Sequence, residues 1–132
     1  MVLVDTSVWI RFFANRAPLA SELERLVRLD QVARHDLVYG ELLIGDRGVR
    51  GKFLADYQRM PPAATVPHDE VVDFVHARRL HGRGVGWIDI HLLASAIVGR
   101  LQLWTVDPRF AEMAREFGVI YKPPTMHSGN GF

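Results

Sequence analysis

Cysteine is absent from this chain of 132 residues. Its absence excludes a disulfide scaffold, a thiolate zinc site and a cysteine nucleophile. The sequence patterns of a zinc hydrolase, His-Glu-x-x-His, and of a serine hydrolase, Gly-x-Ser-x-Gly, are missing as well. The most apolar run, from Leu92 to Val98, is far shorter than the ~20 residues that a membrane-spanning helix needs. We therefore expect a cytoplasmic protein without a membrane segment.

Lysine is scarce, and the overall charge is close to balance. Only Lys52 and Lys122 are lysines among 16 basic residues, and the formal net charge is +1. A charge this small predicts no general attraction to nucleic acid. Arginine favours bidentate contacts with phosphate, but a compositional bias of the genome against lysine explains the excess of arginine equally well.

Short apolar segments alternate with helical patterns along most of the chain. We expect strands at Val2–Val4, Gln31–Ala33, Ala64–Val66, Leu101–Val106 and Val119–Tyr121. Strands that alternate with helices form a parallel sheet with helices on both faces. The predicted fold is therefore an α/β protein, a three-layer α/β/α sandwich with a mostly parallel sheet of about four to five strands. One domain is expected over residues 1–125, followed by a flexible tail over residues 126–132.

Asp5 stands directly after the first predicted strand. The apolar run Val2–Val4 ends in this carboxylate, and no Lys or Arg lies within four residues of it. A buried carboxylate must be paired, protonated or bound to a metal. The sequence therefore predicts that Asp5 lines a site at the edge of the sheet.

Three further acids, Glu41, Asp89 and Asp107, lie at or near the starts of predicted helices. Taken singly, each is explained by helix capping or by the helix dipole, and Asp107-Pro108 is a common helix start. Ligand sites of open parallel sheets nevertheless form at the carboxyl ends of the strands, where these segments pass. Several carboxylates at one mouth repel each other, and all-oxygen ligands favour Mg²⁺ or Mn²⁺ over Zn²⁺. We therefore predict that the four acids form one metal site.

With these motifs in place, the chain resembles a PIN-domain ribonuclease of the VapC type, the toxin of a type II toxin–antitoxin pair. The resemblance spans Val2 to about Tyr121. The matching segments are Val-Asp5-Thr-Ser-Val-Trp, Tyr-Gly-Glu41-Leu-Leu-Ile-Gly45, Asp89-Ile-His-Leu-Leu-Ala-Ser-Ala and Leu-Trp-Thr105-Val-Asp107-Pro-Arg-Phe110. Their order and spacing fit, and no acid is missing.

The resemblance implies an Mg²⁺- or Mn²⁺-dependent endoribonuclease. Asp5 and Asp89 would bind the metal directly, and Glu41 and Asp107 would bind through water or a second metal. Thr105 would support this pocket. A divalent cation lowers the pKa of a bound water, so we expect hydrolysis of RNA by a metal-activated water.

Two small residues follow Asp5 directly. Thr6 and Ser7 would either orient the acids or cap the first helix, and capping is the favoured interpretation. The choice between these two roles decides whether the hydroxyls belong to the site.

Candidate contacts to RNA surround the acids in the sequence. Arg11, Arg47 and Arg109 lie close to them and would hold the RNA backbone. Trp87 follows a glycine-rich loop and would stack on an unpaired base. Solvated helix faces explain the arginines equally well.

The resemblance also implies partners. A cognate VapB-type antitoxin would lay a helix along the toxin and place a basic side chain among the carboxylates. The aromatic-rich segment from Trp9 to Leu29 would supply an apolar groove for that helix. A homodimer is expected as well.

Three other functions compete with this interpretation. A receiver-type phosphoacceptor domain would need paired acids after the first strand and an acceptor Asp in mid-chain, and this chain has neither. A PIN-fold nuclease in RNA or DNA processing, or a PIN module that binds without cleaving, stays open. The short single domain favours the toxin, and the intact set of acids favours cleavage.

Overall fold

The computed structural model describes residues 1–124, so the predicted tail at 126–132 lies outside the described residues. The elements, in chain order, are β1 (Val2–Val4), α1 (Thr6–Phe13), α2 (Leu19–Arg28), β2 (Val32–Ala33), α3 (Asp36–Gly45), α4 (Gly51–Tyr57), α5 (His68–Arg78), α6 (Trp87–Gly99), β3 (Gln102–Trp104) and α7 (Pro108–Glu116). None of the helices in this part of the chain is both long and apolar enough to cross a membrane.

The sheet is parallel, with strand order β2-β1-β3. Leu3 pairs with Ala33 on one side and with Leu103 on the other. β1 is buried along its whole length, as expected for the central strand of a sheet that helices cover on both faces. The predicted α/β fold with a parallel sheet is confirmed.

Two segments that we expected to be strands are reduced to single bridges. Ala64–Val66 forms no strand, and the pairing falls earlier, where Pro62 bridges Arg34. Proline has no N–H to donate, which stops a longer ladder there. In the last segment only Ile120 bridges, to Leu103. Three regular strands are thus present among residues 1–124, flanked by a bridged segment at each edge.

The direction of the crossovers changes at β1. From β1 the chain moves outward through β2 to Pro62, then returns past β1 to β3 and on to Ile120. Since such crossovers are right-handed, helices of the first half cover one face and those of the second half the other. The contacts agree, because α1 packs on α2 and α3 while α5 packs on α6. A change of direction opens a crevice at the carboxyl end of the central strands, between β1 and β3.

The core fixes this crevice from both sides. Trp9 on α1 is fully buried among Phe12, Phe53 and Tyr57. On the other face, α6 buries six of the seven residues from 90 to 96. The polar residue among them, Ser95, forms a hydrogen bond of 3.0 Å between its Oγ and Nε2 of the buried His35. The elements that carry the acids are therefore anchored by packing rather than by loops.

Candidate active site

Asp5 lies at the carboxyl end of β1 and is 5% exposed. Its Oδ2 accepts two hydrogen bonds, from Ser7 Oγ at 2.6 Å and from Thr105 Oγ1 at 2.8 Å. The backbone N–H of Asp5 donates to the carbonyl of Trp104 at 2.9 Å. The carboxyl ends of β1 and β3 are thereby joined at Asp5.

The two hydroxyls are themselves held by backbone amides. Thr105 Oγ1 accepts from the N–H of Asp107 at 3.1 Å, and Ser7 Oγ accepts from the N–H of Val106 at 3.3 Å. Because each hydroxyl accepts from an amide, its own proton is left for Asp5. The carboxylate is therefore fixed in direction as well as in place.

Glu41 approaches from α3, which begins with a cap at His35, whose Nδ1 accepts from the N–H of Leu37. Thr6 Oγ1 donates to Glu41 Oε1 at 2.6 Å. This bond ties the first turn of α1 to the middle of α3 and sets the direction of the Glu41 side chain.

The pKa of Asp89 reflects the charges of the other three acids. Its pKa is raised from 3.8 to about 6, first by burial and then by the negative charge of Asp5. Glu41 and Asp107 raise it further, and a hydrogen bond from the backbone of Gly86 opposes the shift. A carboxyl whose pKa responds to three others lies in the same field as they do. The charges of the three other acids therefore act on Asp89, and a metal site formed by all four stays a prediction.

Asp107 also has the structural role that its neighbour Pro108 predicted. Its Oδ1 accepts from the N–H of Arg109 at 2.9 Å, and this caps α7. One carboxylate oxygen is thus used by the helix, while the other accepts no hydrogen bond from residues 1–124.

Helix capping by Thr6 and Ser7, the favoured interpretation, is wrong. The N-cap of α1 is Asp5, and its side chain makes no capping hydrogen bond. Both hydroxyls bond to carboxylates instead. Thr6 and Ser7 follow the N-cap and lie inside the first turn of α1, so their hydroxyls donate to carboxylates instead of accepting from the free N–H groups of the helix. The alternative interpretation, that these hydroxyls orient the acids, agrees with these bonds.

The comparisons with known proteins agree with this geometry. A family model described as "PIN domain" matches residues 2–116. The chain belongs to the PIN-domain family. It is also 43% identical, over 126 residues, to two proteins named Ribonuclease VapC32, from Mycobacterium tuberculosis strains CDC 1551 / Oshkosh and ATCC 25618 / H37Rv. Each alignment covers 90% of this chain and 94% of the relative. The predicted resemblance to VapC-type PIN ribonucleases is confirmed.

The PIN domain offers oxygen ligands with free lone pairs at its crevice. Oδ1 of Asp5 accepts no hydrogen bond from residues 1–124, and none of the ion pairs in that range includes any of the four acids. Among the same residues no three His, Asp or Glu side chains stand as a finished metal-binding group. The available donors are carboxylate oxygens, which are the ligands that Mg²⁺ and Mn²⁺ prefer.

Among the residues predicted to bind RNA, Arg109 and Trp87 have defined surroundings in the PIN domain. The Arg109 guanidinium lies over Gly84 of the glycine-rich loop, where a Cβ would come within 2.3 Å of Nη1. Trp87 is 42% exposed and packs edge-on against His68 and His91. Arg11 and Arg47 are exposed, and their contact with RNA stays a prediction.

A cleft of about 140 Å³ adjoins the acids on the α1–α3 side. Thr6 and Glu41, the hydrogen-bonded pair of the site, form one wall of it. The other lining residues are Ile10, Phe13, Leu42, Gly45, Asp46 and Arg50. Of the predicted segment from Trp9 to Leu29, Ile10 and Phe13 line this cleft, whereas Trp9 is buried. That the segment receives an antitoxin helix stays a prediction.

Proposed function

We propose that this protein is an Mg²⁺- or Mn²⁺-dependent endoribonuclease that acts as the toxin of a toxin–antitoxin pair. The observation that carries the proposal is the field at Asp89, where three other carboxylates raise one pKa and no Lys or Arg of residues 1–124 forms an ion pair with any of them. Repulsion of this kind disfavours the site unless a cation joins it. Similarity to proteins named Ribonuclease VapC32 supports RNA as the substrate.

In this mechanism Asp5 and Asp89 would hold the metal, and Glu41 and Asp107 would act through water or a second ion. When bound, such a cation lowers the pKa of a water and neutralises charge on phosphate oxygens. Ser7 and Thr105 keep Oδ2 of Asp5 anchored, so that Oδ1 faces the crevice. Thr6 does the same for Glu41. The chain thereby supplies orientation, and no side chain need act as a nucleophile.

Cleavage of RNA by the purified protein tests the proposal. We expect activity with Mn²⁺ or Mg²⁺, loss of activity in EDTA, and products with a 5′-phosphate and a 3′-hydroxyl. Asp5→Asn should lose at least about 100-fold in kcat, since it removes one charge from the ligand set. Asp73→Asn, an exposed acid on α5, is the matched control and should cleave normally.

The same experiment separates the competing functions. Undiminished cleavage in EDTA would exclude the metal mechanism. Binding of RNA without cleavage would identify a non-catalytic module, and cleavage of DNA with equal efficiency would identify a processing nuclease. Ends of RNA sequenced after induction of the wild type and of Asp5→Asn in cells would then define the target.

The cleft beside Thr6 and Glu41 is proposed to receive a helix of a VapB-type antitoxin. Ile10 lines it and is 59% exposed, so an apolar side chain would cover surface that water now contacts. A basic side chain at the end of that helix would meet Glu41. Ile10→Glu should abolish the complex and keep RNA cleavage. Ile44→Glu is the control, because Ile44 is 87% exposed on α3 and does not line the cleft.

A homodimer is part of the proposal as well. An apolar groove of about 170 Å³ lies between α5 and α6, with Phe74 and Ile97 in its walls and Val98 64% exposed at its rim. Val98→Glu should convert a dimer to a monomer in light scattering. The proposed substrate and antitoxin are both found in the cytoplasm, which is therefore the proposed location.

A further inference from the structure

A second cleft, of about 320 Å³, opens beside the acids at the same edge of the sheet. Thr105, whose hydroxyl bonds to Asp5, forms part of its wall. The other lining residues are Trp104, Val106, Ala111, Arg115, Ile120, Tyr121, Lys122 and Pro123. The cleft and the acidic site therefore share the backbone that follows β3.

This cleft exists because a ladder stops early. Leu103 donates to the carbonyl of Val119 at 2.7 Å, and Tyr121 donates to the carbonyl of Leu103 at 2.9 Å. The next bond of a parallel ladder would join the N–H of Thr105 to the carbonyl of Tyr121. It is absent from the hydrogen bonds within residues 1–124. The ladder therefore ends here, and the Thr105 N–H has no backbone partner among residues 1–124.

Lys122 brings a cation to the same cleft as that amide. Leu3 pairs with Leu103, and Leu103 bridges Ile120. Lys122 follows two residues after this bridge and lines the cleft together with Thr105.

A second cation completes the cleft from the helical side. Arg115, on α7 one turn after Ala111, lines the same cleft as Lys122. Both side chains belong to exposed residues, and neither takes part in an ion pair among residues 1–124. Two positively charged side chains and a residue whose backbone N–H is unpaired within residues 1–124 line this one cleft, and such donors are suited to a phosphate.

We propose that Arg115, Lys122 and the Thr105 amide form a subsite for a backbone phosphate of RNA, next to the phosphate that is cleaved. This inference rests on the proposed ribonuclease function and deepens it. Four carboxylates at the crevice repel an RNA strand, and a net charge of +1 gives no general compensation. Positive charge placed in the adjoining cleft would hold the strand where the acids alone would repel it.

The test uses the double variant Arg115→Gln/Lys122→Gln and a short single-stranded RNA. We expect KM for cleavage to rise about tenfold with kcat little changed, because the pair binds a phosphate that does not react. In fluorescence anisotropy the slope of log affinity against log salt should fall by about 0.7, the value for one phosphate contact of a single strand. Arg100→Gln, at the opposite edge of the sheet just before β3, is the matched control and should change neither quantity.

A modified substrate separates a specific contact from a general change of charge. A neutral methylphosphonate linkage, moved along the strand, should weaken binding to the wild type at one position. The double variant should be insensitive to the linkage at that position. Equal sensitivity of both proteins at every position would overturn the subsite while leaving ribonuclease activity intact. Absence of metal-dependent cleavage by the wild type would instead overturn the proposed function itself.

Discussion

At the scale of single residues, three of the four carboxylates have one oxygen in a hydrogen bond and one oxygen without a hydrogen bond among residues 1–124. Oδ2 of Asp5 accepts from two hydroxyls, and Oδ1 accepts no hydrogen bond from residues 1–124. Oε1 of Glu41 accepts from Thr6, and Oδ1 of Asp107 accepts from the backbone N–H that it caps in α7. Hydroxyls that orient a ligating oxygen act much as outer contacts do in metal sites generally, where their loss costs about 10–100-fold in affinity or activity.

Replacement of Thr105 by Val removes the oxygen while keeping the branched shape of the side chain. Asp5 then loses a donor, and the Asp107 amide loses its acceptor. We expect the free energy of unfolding to fall by about 1–3 kcal/mol and kcat to fall by about 10–100-fold. Urea denaturation and RNA cleavage measure the two effects. Thr105→Ser keeps the hydroxyl and should restore most of the activity; wild-type kcat in Thr105→Val would remove Thr105 from the site.

The raised pKa of Asp89 predicts the dependence of stability on pH in the absence of metal. The folded state binds the Asp89 proton more tightly than the unfolded chain, whose carboxyl has the ordinary value of 3.8, against about 6 when folded. The contribution of this group is therefore complete below pH 3.8 and is lost as the pH rises through about 6.

Urea denaturation in EDTA, from pH 4 to 7, measures this loss. Burial lowers the pKa of His35 and acts in the opposite direction over part of this range. The decisive quantity is therefore the difference between the wild type and Asp89→Asn. Asp89→Asn should gain stability relative to the wild type as the pH rises, and a difference that is constant with pH would contradict the shared field.

At the scale of elements, the glycine-rich loop before α6 is tied to α7. Arg83 forms a bidentate ion pair with Glu116, and Arg109 lies over Gly84. The loop ends in Gly86, the N-cap of α6, where an added Cβ would lie 3.6 Å from Asp89 Oδ2. The two arginine contacts between the loop and α7 therefore hold the start of α6, and with it the position of Asp89.

Gly84→Ala and Gly82→Ala form a matched pair for this loop. Both glycines have positive φ, 78° and 73°, but only Gly84 has Arg109 in the space of a Cβ. Each variant should lose about 1 kcal/mol of stability from backbone strain. Only Gly84→Ala should also weaken RNA binding, because the Arg109 side chain must swing away. Equal RNA affinity in both variants would show that Arg109 does not contact RNA.

The sequence predicted these elements better than their edges. Buried strands were recognisable because their residues, as in Val2–Val4, are all apolar. The four acids were recognisable from their positions at or near the ends of elements. Capping was favoured over orientation of the acids for Thr6 and Ser7, since a hydroxyl in a first helical turn has the same local sequence pattern as a cap. The shortened edge strands and the cleft at Lys122 were missed because they depend on where two distant ladders stop.

At the scale of the whole molecule, the change of crossover direction at β1 determines where chemistry is possible. Ends of β1 and β3 meet at the crevice, and each flanking lane delivers a different kind of residue to the same edge. Acids lie at the centre, and Lys122 lines the cleft that follows the bridged segment beyond β3. A sheet of three regular strands is small, yet the segments that follow its strands bring acids and a cation to adjoining clefts.

Binding of Mn²⁺ should stabilise the folded molecule. A ligand that binds only the folded state adds about 2.7 kcal/mol at 100 times its Kd, which raises Tm by several degrees in a chain of this size. Thermal unfolding with and without Mn²⁺ measures the shift. Asp73→Asn should show it in full and Asp5→Asn should not; an unchanged shift in Asp5→Asn would place the ion elsewhere.

The bond between Asp5 and Thr105 joins residues 100 positions apart, and this separation affects the order of events during synthesis. Synthesis adds Asp5 first and the hydroxyl that anchors it 100 residues later. A nascent chain that ends before Thr105 has neither this anchor nor Asp107. For an enzyme proposed to cut RNA, the fold thus delays the assembly of its site until both residues have been added.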